Sequence, residues 1–256
     1  MYKDFNLFWC NVCFSYFRQS MRAIIFNATP SFRGLNFVMR KENLQNPSGP
    51  EWPRTLMQRM FRLWSFKMIG TILVTWLFFK AYFWVLRNPR IPAYVMPFTF
   101  LDGWVSFTPW AVVLYISLWL YVALLPAVYK TLVELLIYLS GVLCLGSLGL
   151  AIFYFWPTTI QIPDAARRSV YSIFLILDGV DSAGNACPSL HVAFAVFTAV
   201  GFRRVLKEVR AGWGGHLVNL LWSVGICYST LAIRQHVFWD LVAGCVLGMV
   251  VAAWTF

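Results

Sequence analysis

The sequence predicts an all-α, polytopic membrane protein built as a bundle of six transmembrane helices. Of its 256 residues, 60% are hydrophobic and only 12% are charged, whereas about a quarter of the residues are charged in a typical soluble domain. The apolar residues also form long runs, each close to the roughly 20 residues that cross a bilayer. Composition and run length therefore exclude an ordinary soluble domain.

Six apolar segments are predicted as the spans. They cover residues 68–86, 108–129, 132–156, 188–206, 215–233 and 237–255. Residues 1–66 are rich in basic and aromatic side chains, and we expect them to form an N-terminal extension in the cytoplasm or on the membrane surface. Within it, residues 43–53 hold three prolines and are predicted to be a loop. The remaining residues, 67–256, form the membrane domain.

The net charge of +11 follows the predicted membrane topology. Residues 1–67 hold ten Lys and Arg against three Asp and Glu, and residues 203–210 hold four basic residues against Glu208. Because basic segments beside spans mark the cytoplasmic side, the loops 87–107 and 157–187 and the turn between the last two spans are predicted to lie outside. Nucleic acid is therefore not an expected partner.

Two histidines lie at the predicted outer ends of spans. His191 belongs to Pro188-Ser189-Leu-His191, and His236 follows Arg234 between the last two spans. Histidine and arginine are costly near hydrocarbon, so their presence there indicates chemistry. Because the sidedness rests on lysine and arginine alone, its placement of both histidines on one face independently favours a single site.

These residues predict phosphoryl transfer. Asp240 lies one helical turn after His236, so its carboxylate is expected to accept the Nδ1–H and leave Nε2 free to attack phosphorus. Arg234 is expected to neutralise phosphoryl oxygens, and His191 is expected to protonate the departing oxygen. This chemistry requires no metal and no cofactor.

The start of the fourth span is expected to add groups that bind an anion. Proline is favoured in the first turn of a helix, so Pro188 predicts that Ser189 and His191 lie in that turn, where free amides attract phosphate. Arg167 and Arg168, in the same outer loop, are further candidates for phosphate contact.

At these residues the chain resembles the type 2 phosphatidic acid phosphatase superfamily of membrane lipid phosphatases and phosphotransferases. Its signatures Pro-Ser-x-His and Ser-Arg-x5-His-x3-Asp are matched at Pro188, Ser189, His191, Ser229, His236 and Asp240. The resemblance covers roughly residues 65–256. It implies a six-helix core, a phosphohistidine intermediate on His236 and an acid role for His191. Ser229 is expected either to support the phosphate site or to pack between helices.

The departures from these signatures point to one branch of the superfamily. Leu190 replaces a glycine, Thr230 replaces an arginine, and the first signature is absent because no Arg-Pro dipeptide occurs. With Arg234 two residues before His236, the chain resembles the branch of inositol phosphorylceramide synthase and its bacterial relatives. The resemblance implies a phospholipid, sphingolipid or polyprenyl phosphate substrate in a plasma or bacterial inner membrane, with the active site outside. Hydrolysis and transfer to an acceptor are both open.

Two other functions are weighed against this one. A non-enzymatic carrier or lipid-handling protein would spread polar residues through the span interiors, whereas here they gather at one face. A metal-dependent alcohol phosphatidyltransferase needs several aspartates one helical turn apart, and only Asp178 and Asp181 lie close together. Asp102 and Glu134, near span ends, are expected to face water.

Overall fold

The computed structural model describes residues 51–161, 170–174 and 184–256, and the fold is mostly helical. The helices within these residues are α1 (Glu51–Phe61), α2 (Trp64–Arg87), α3 (Phe100–Gly103), α4 (Val112–Val128), α5 (Leu132–Phe155), α6 (Leu190–Glu208), α7 (Trp213–Ala232) and α8 (Phe238–Thr255). A 3-10 turn over Pro109–Ala111 leads into α4, and the short strands β1 (Tyr94–Met96) and β2 (Thr158–Ile160) pair in parallel.

The six long helices α2 and α4 to α8 occupy the six predicted segments, with ends that differ by a few residues. Among the described helices, α2, α4 with its 3-10 turn, α5 and α8 are long and apolar enough to cross a membrane. Helix α6 falls outside that group because its last turns carry several charged residues, and α7 because it begins with the polar stretch 213–216. The structure thus supports a membrane protein with four candidate spans, and the count of six stays a prediction.

Helix α6 packs against α4, α7 and α8, and its contact with α8 is especially close. A Cβ atom added to Gly244 or Gly248 of α8 would lie 2.5 Å from the carbonyl oxygen of Ser189 or Ala193, respectively. Small residues four apart let membrane helices approach backbone to backbone in this way. The amide of Ser189, the residue just before α6, consequently donates a hydrogen bond of 3.0 Å to the carbonyl oxygen of Asp240 in the first turn of α8.

Helix α2 presents its apolar side chains outward. Ile69, Leu73 and Trp76 are each more than half exposed in the isolated chain. Soluble monomers rarely expose contiguous apolar surface of this kind, whereas hydrocarbon accommodates it without cost. The surface of α2 therefore agrees with a helix that lies against lipid.

The loops preceding α4, α6 and α8 meet at one end of the bundle. Besides the β1–β2 pair, Asn185 forms an isolated bridge with Thr158, and the amide of Thr108 donates to the carbonyl oxygen of Ala232 at 2.9 Å. These are the loops that the charge bias assigns to the outside. Because they lie together, the residues that they carry are available for one site.

The opposite end of the bundle is held by charged contacts. Glu208, at the end of α6, forms ion pairs with Lys130, between α4 and α5, and with Arg59 of α1 at 3.1 Å.

Helix α1 begins at Glu51, so residues 51–53 of the predicted loop are helical. Proline is tolerated at Pro53 because the amides of the first turn have no partner within the helix. Residues 1–50 lie outside the described residues, and the extension over 1–66 stays a prediction.

Candidate active site

A cavity of about 220 Å³ lies near the end of the bundle where these loops meet, and His191 and His236 both line it. Its wall is largely aromatic and aliphatic, with contributions from α2, α4, α5 and α6. The polar residues in the lining are Tyr82, Tyr115, Asn185, His191, Gln235 and His236. No lysine or arginine belongs to the lining as far as the described residues go. Two histidines far apart in the sequence therefore line one cavity.

Ser189 caps helix α6. Its hydroxyl accepts a hydrogen bond of 3.4 Å from the amide of Val192, and its side chain is buried. Pro188 consequently precedes the cap and does not enter the first turn, so that His191 lies in the first turn while Ser189 lies just before it. The predicted contact of Ser189 with phosphate stays a prediction.

The ring of His191 stacks on the ring of Tyr115 of α4. The Trp119 ring meets the His191 ring edge-on, with the ring centroids 5.7 Å apart. The Tyr115 hydroxyl lies 3.3 Å from Nδ1 of His191. Nε2 is buried and has no hydrogen-bond partner among the described residues. In the protonated ring, which is the form that a proton donor needs, Nδ1–H donates to the hydroxyl oxygen of Tyr115 and Nε2 carries the second hydrogen.

His236 is oriented through Nδ1 by two oxygen acceptors. Nδ1 lies 2.9 Å from the carbonyl oxygen of Ala186 and 3.6 Å from Oδ2 of Asp240. The hydrogen bond therefore goes to Ala186, because 3.6 Å is too long for one to Asp240. Since neither oxygen can donate, Nδ1 must carry the hydrogen and Nε2 must hold the lone pair.

Asp240 supplies a fully buried carboxylate beside this ring. Its Oδ2 accepts the amide of Val237 at 2.9 Å and so caps α8. Burial, and secondarily the charge of Asp240, raise the pKa of the Cys187 thiol to about 11. Cys187 is therefore protonated near neutral pH, and a thiol in that state is a poor nucleophile.

The carbonyl that orients His236 is fixed by strand β2. The amides of Gly184 and Ala186 donate to the carbonyl oxygen of Thr158 at 3.1 and 3.0 Å, and the amide of Cys187 donates to its hydroxyl at 2.7 Å. Thr158 thus sets the path of the chain just before α6. No motif around Thr158 reveals this role in the sequence.

Arg234 anchors the chain beside His236. Its backbone has a φ of 59°, in the left-handed region, and its side chain is 8% exposed. One guanidinium nitrogen donates to the carbonyl oxygen of Asp102 at 3.0 Å, and the guanidinium carbon lies 5.5 Å from the centre of the Phe98 ring. Arg234 is not among the residues that line the cavity, and its predicted contact with phosphate stays a prediction.

Asp102 is buried, with 1% of its surface exposed, so the expectation that it faces water was wrong. Its Oδ1 accepts the amide of Phe238 at 2.6 Å, and its Oδ2 accepts the amide of Thr99 at 2.7 Å. The carboxylate is therefore paired by backbone amides, which remove the cost of burying it. The Thr-x-x-Asp pattern at 99–102 is a capping signal that could have indicated this role.

The other predicted site residues lie elsewhere. Ser229 is buried in α7, outside the cavity lining, and its hydroxyl donates to the carbonyl oxygen of Ile226 at 2.6 Å. This bond suits the helix-packing alternative. Arg167 and Arg168 lie outside the described residues, as do Asp178 and Asp181. The roles of both arginines stay predictions.

Two residues that depart from the expected signatures have structural roles. The side chain of Leu190 fills the space beside Gly149, where an added Cβ would lie 2.3 Å from it. The carbonyl oxygen of Thr230 accepts the amides of Gln235 and His236 at 3.1 and 3.2 Å, which closes the turn after α7. Leu190 and Thr230 thus pack and shape the site.

A family model described as the PAP2 superfamily matches residues 65–256. The matched stretch contains His191, His236 and Asp240 and nearly the whole of the six long helices. Comparisons with curated proteins and with solved structures gave no match.

Proposed function

Because the chain belongs to the PAP2 superfamily, whose members are phosphatases and phosphotransferases that act on lipid phosphates, we propose that it hydrolyses or transfers the phosphoryl group of a membrane lipid through a phosphohistidine on His236. One observation carries this proposal. His191 and His236 line the same cavity, Nε2 of His191 has no hydrogen-bond partner among the described residues, and His236 is held through Nδ1.

The first half-reaction follows from these two nitrogens. The Nε2 lone pair of His236 attacks phosphorus as the bond to the lipid oxygen breaks. Nε2–H of the protonated His191 gives its proton to that departing oxygen, which leaves as an alcohol, and the His191 ring becomes neutral. The attacking ring gains positive charge, and the Asp240 carboxylate, 3.6 Å from Nδ1, stabilises it.

The second half-reaction decides the outcome. Water or an acceptor alcohol attacks the phosphohistidine, and its proton passes to Nε2 of His191, which restores the resting enzyme. Water releases inorganic phosphate, and an alcohol yields a new phosphate ester. The likeness to the inositol phosphorylceramide synthase branch, carried by Leu190, Thr230 and Arg234, favours including acceptor alcohols in any assay.

The walls of the cavity suit the apolar part of a lipid. Phe79 and Phe83 of α2 and Trp119 of α4 line the same space as the two histidines. Burial of aliphatic carbon against such side chains is favourable by about 25 cal/mol per Å² of apolar area. This supports a phospholipid, sphingolipid or polyprenyl phosphate over a water-soluble phosphate ester.

The proposed site faces the outside of a plasma or bacterial inner membrane. The loops at the cavity end are those that the charge bias assigns to the outside, and Lys130 and Arg59 lie at the other end. Amides at the start of α6, together with Ser189, Arg234, Arg167 and Arg168, are proposed to bind the phosphoryl oxygens. Ser229 is proposed to support this site through the position of α7.

The experiment uses the full-length protein, purified in detergent, with a panel of lipid phosphates. Phosphate release and ester formation are measured with and without acceptor alcohols. We expect turnover of at least one lipid, inhibition by vanadate, and no turnover by a folded His236→Ala variant. A wild-type protein that is inactive across the panel, or a His236→Ala variant that keeps its activity, would overturn the proposal; a carrier would not respond to vanadate.

A further inference from the structure

The segment that carries His236 is held in place by a residue of the short helix α3. This segment, residues 233–237, connects α7 to α8 and is called the His236 turn below. We infer that Asp102 is a positioning residue that fixes the His236 turn for phosphoryl transfer, an inference that rests on the proposed function. Asp102 is not part of the cavity lining, so it acts through the residues of this turn.

The first contact is at the start of α8. Oδ1 of Asp102 accepts the amide of Phe238 at 2.6 Å. Phe238 is the first residue of α8, and its amide is one of those that have no partner within the helix. A carboxylate at this place also interacts favourably with the helix dipole. Asp102 thus fixes the C-terminal end of the His236 turn.

The second contact is at the start of the turn. A guanidinium nitrogen of Arg234 donates to the backbone carbonyl of Asp102 at 3.0 Å. Arg234 adopts a left-handed backbone conformation that residues other than glycine seldom adopt unless their surroundings enforce it. A third contact comes from the same connection between α2 and α4. The amide of Thr108 donates a hydrogen bond of 2.9 Å to the carbonyl oxygen of Ala232, just before the His236 turn.

The carboxylate is itself held firmly. Oδ2 accepts both the amide and the hydroxyl of Thr99, at 2.7 and 2.6 Å, so the side chain has little freedom to rotate. With 1% of its surface exposed, Asp102 has no access to solvent that could replace these bonds. Loss of the carboxylate would leave the amide of Phe238 partly buried without its acceptor.

The conformation of the His236 turn sets the position of the His236 ring. His236 reaches the carbonyl oxygen of Ala186 at 2.9 Å only while the turn keeps its conformation. A displacement of about 1 Å at a reacting group can cost roughly 100-fold in rate. Because Asp102 does not line the cavity, substrate binding should change much less than turnover.

The test compares Asp102→Ala and Asp102→Asn with Glu134→Ala in the full-length protein. Glu134 is a matched control, because its carboxylate also accepts a backbone amide, that of Lys130 at 2.8 Å, but at the opposite end of the bundle. The kcat and KM for a lipid phosphate and the melting temperature are measured for each variant.

We expect Asp102→Ala to lower kcat by about 100-fold while KM changes by less than about threefold. Asp102→Asn keeps an oxygen acceptor and should show a smaller loss. Glu134→Ala should lower the melting temperature with little change in kcat. A folded Asp102→Ala variant with wild-type kcat would overturn the inference; where that variant does not fold, an Asp102→Asn variant with wild-type kcat would do so.

A second readout needs no turnover. Diethyl pyrocarbonate modifies histidine rings, and mass spectrometry gives the rate at His236 separately from that at His191. We expect faster modification of His236 in the Asp102 variants than in the wild type or Glu134→Ala. An inactive wild-type protein would overturn the proposed function alone, whereas equal modification rates would overturn the role of Asp102.

Discussion

The ring of Tyr115 lies almost flat against that of His191, with the ring centroids 4.0 Å apart and the planes 14° from parallel. The phenolic oxygen is 3.3 Å from Nδ1 of the same histidine. One residue of α4 thus controls the tilt of the imidazole and binds its Nδ1. Phosphoryl transfer that depends on Nε2–H of His191 should be sensitive to the loss of either contact.

The Tyr115→Phe substitution tests this control. It keeps the stacked ring and removes the hydroxyl, so Nδ1–H of the protonated His191 ring loses its acceptor. We expect kcat to fall about tenfold, a fraction of the 100-fold or more that general acid catalysis contributes. Tyr138→Phe is the matched control, because the Tyr138 hydroxyl bonds the carbonyl oxygen of Val122, away from the cavity. Equal rates for both variants would contradict the role of Tyr115.

The acid role of His191 predicts a dependence on the leaving group. An alkyl phosphate needs a proton on its departing oxygen, whereas a nitrophenyl phosphate of similar chain length does not. We expect His191→Ala to slow the alkyl substrate at least about 100-fold and the nitrophenyl substrate much less. The ratio of the two rates is the measurement, and a ratio unchanged from that of the wild type would exclude His191 as the proton donor.

Gly244 predicts a packing effect at the contact between α6 and α8. A methyl group there would meet the carbonyl oxygen of Ser189 at 2.5 Å, which the backbone can relieve only by moving apart. We expect Gly244→Ala to destabilise the fold by about 1–3 kcal/mol and to reduce turnover. Gly70→Ala in α2, where no atom of the described residues lies within 4 Å of the added carbon, is the control. Similar melting temperatures for both variants would count against this packing.

Cys187 provides a test of charge near Asp240. Its pKa of about 11 lies above the ordinary value of 9.0 because of burial and the nearby carboxylate. Its thiolate is therefore scarce below pH 11 and increases about tenfold for each pH unit up to that value. We expect alkylation of Cys187, followed by mass spectrometry at pH 7 to 9, to be about 100-fold slower than that of an ordinary thiol.

Removing the nearby charge should change this rate. In Asp240→Asn the pKa of Cys187 falls, so more thiolate is present at a given pH and alkylation becomes faster. Cys187→Ser should keep its turnover, since the thiol is not the nucleophile. A Cys187→Ser variant that folds but has lost activity would contradict this view of the site.

Much of the fold follows from the sequence because the bilayer constrains it so strongly. Long apolar runs gave the positions of all six long helices, since only a helix satisfies its backbone within hydrocarbon. The polar start of α7 and the charged end of α6 are why only four of these helices are candidate spans among the described residues.

The site was predictable where chemistry leaves a local pattern. His236 and Asp240 one turn apart, and His191 after Pro188 and Ser189, were recognisable because each pattern spans a few residues. Asp102, Tyr115 and Thr158 were missed because their partners lie far along the chain and meet only in the folded protein. For the same reason the hydrogen bond of His236 was assigned to Asp240, although it goes to Ala186.

The central claim is that Nε2 of His236 carries the phosphoryl group during turnover. The most direct measurement is an alkaline quench of the wild-type protein during turnover of a radiolabelled lipid phosphate, followed by peptide mapping. We expect acid-labile label on the peptide that contains His236, and none in the His236→Ala variant. Label on another residue, or turnover at full rate without any labelled protein, would contradict the account.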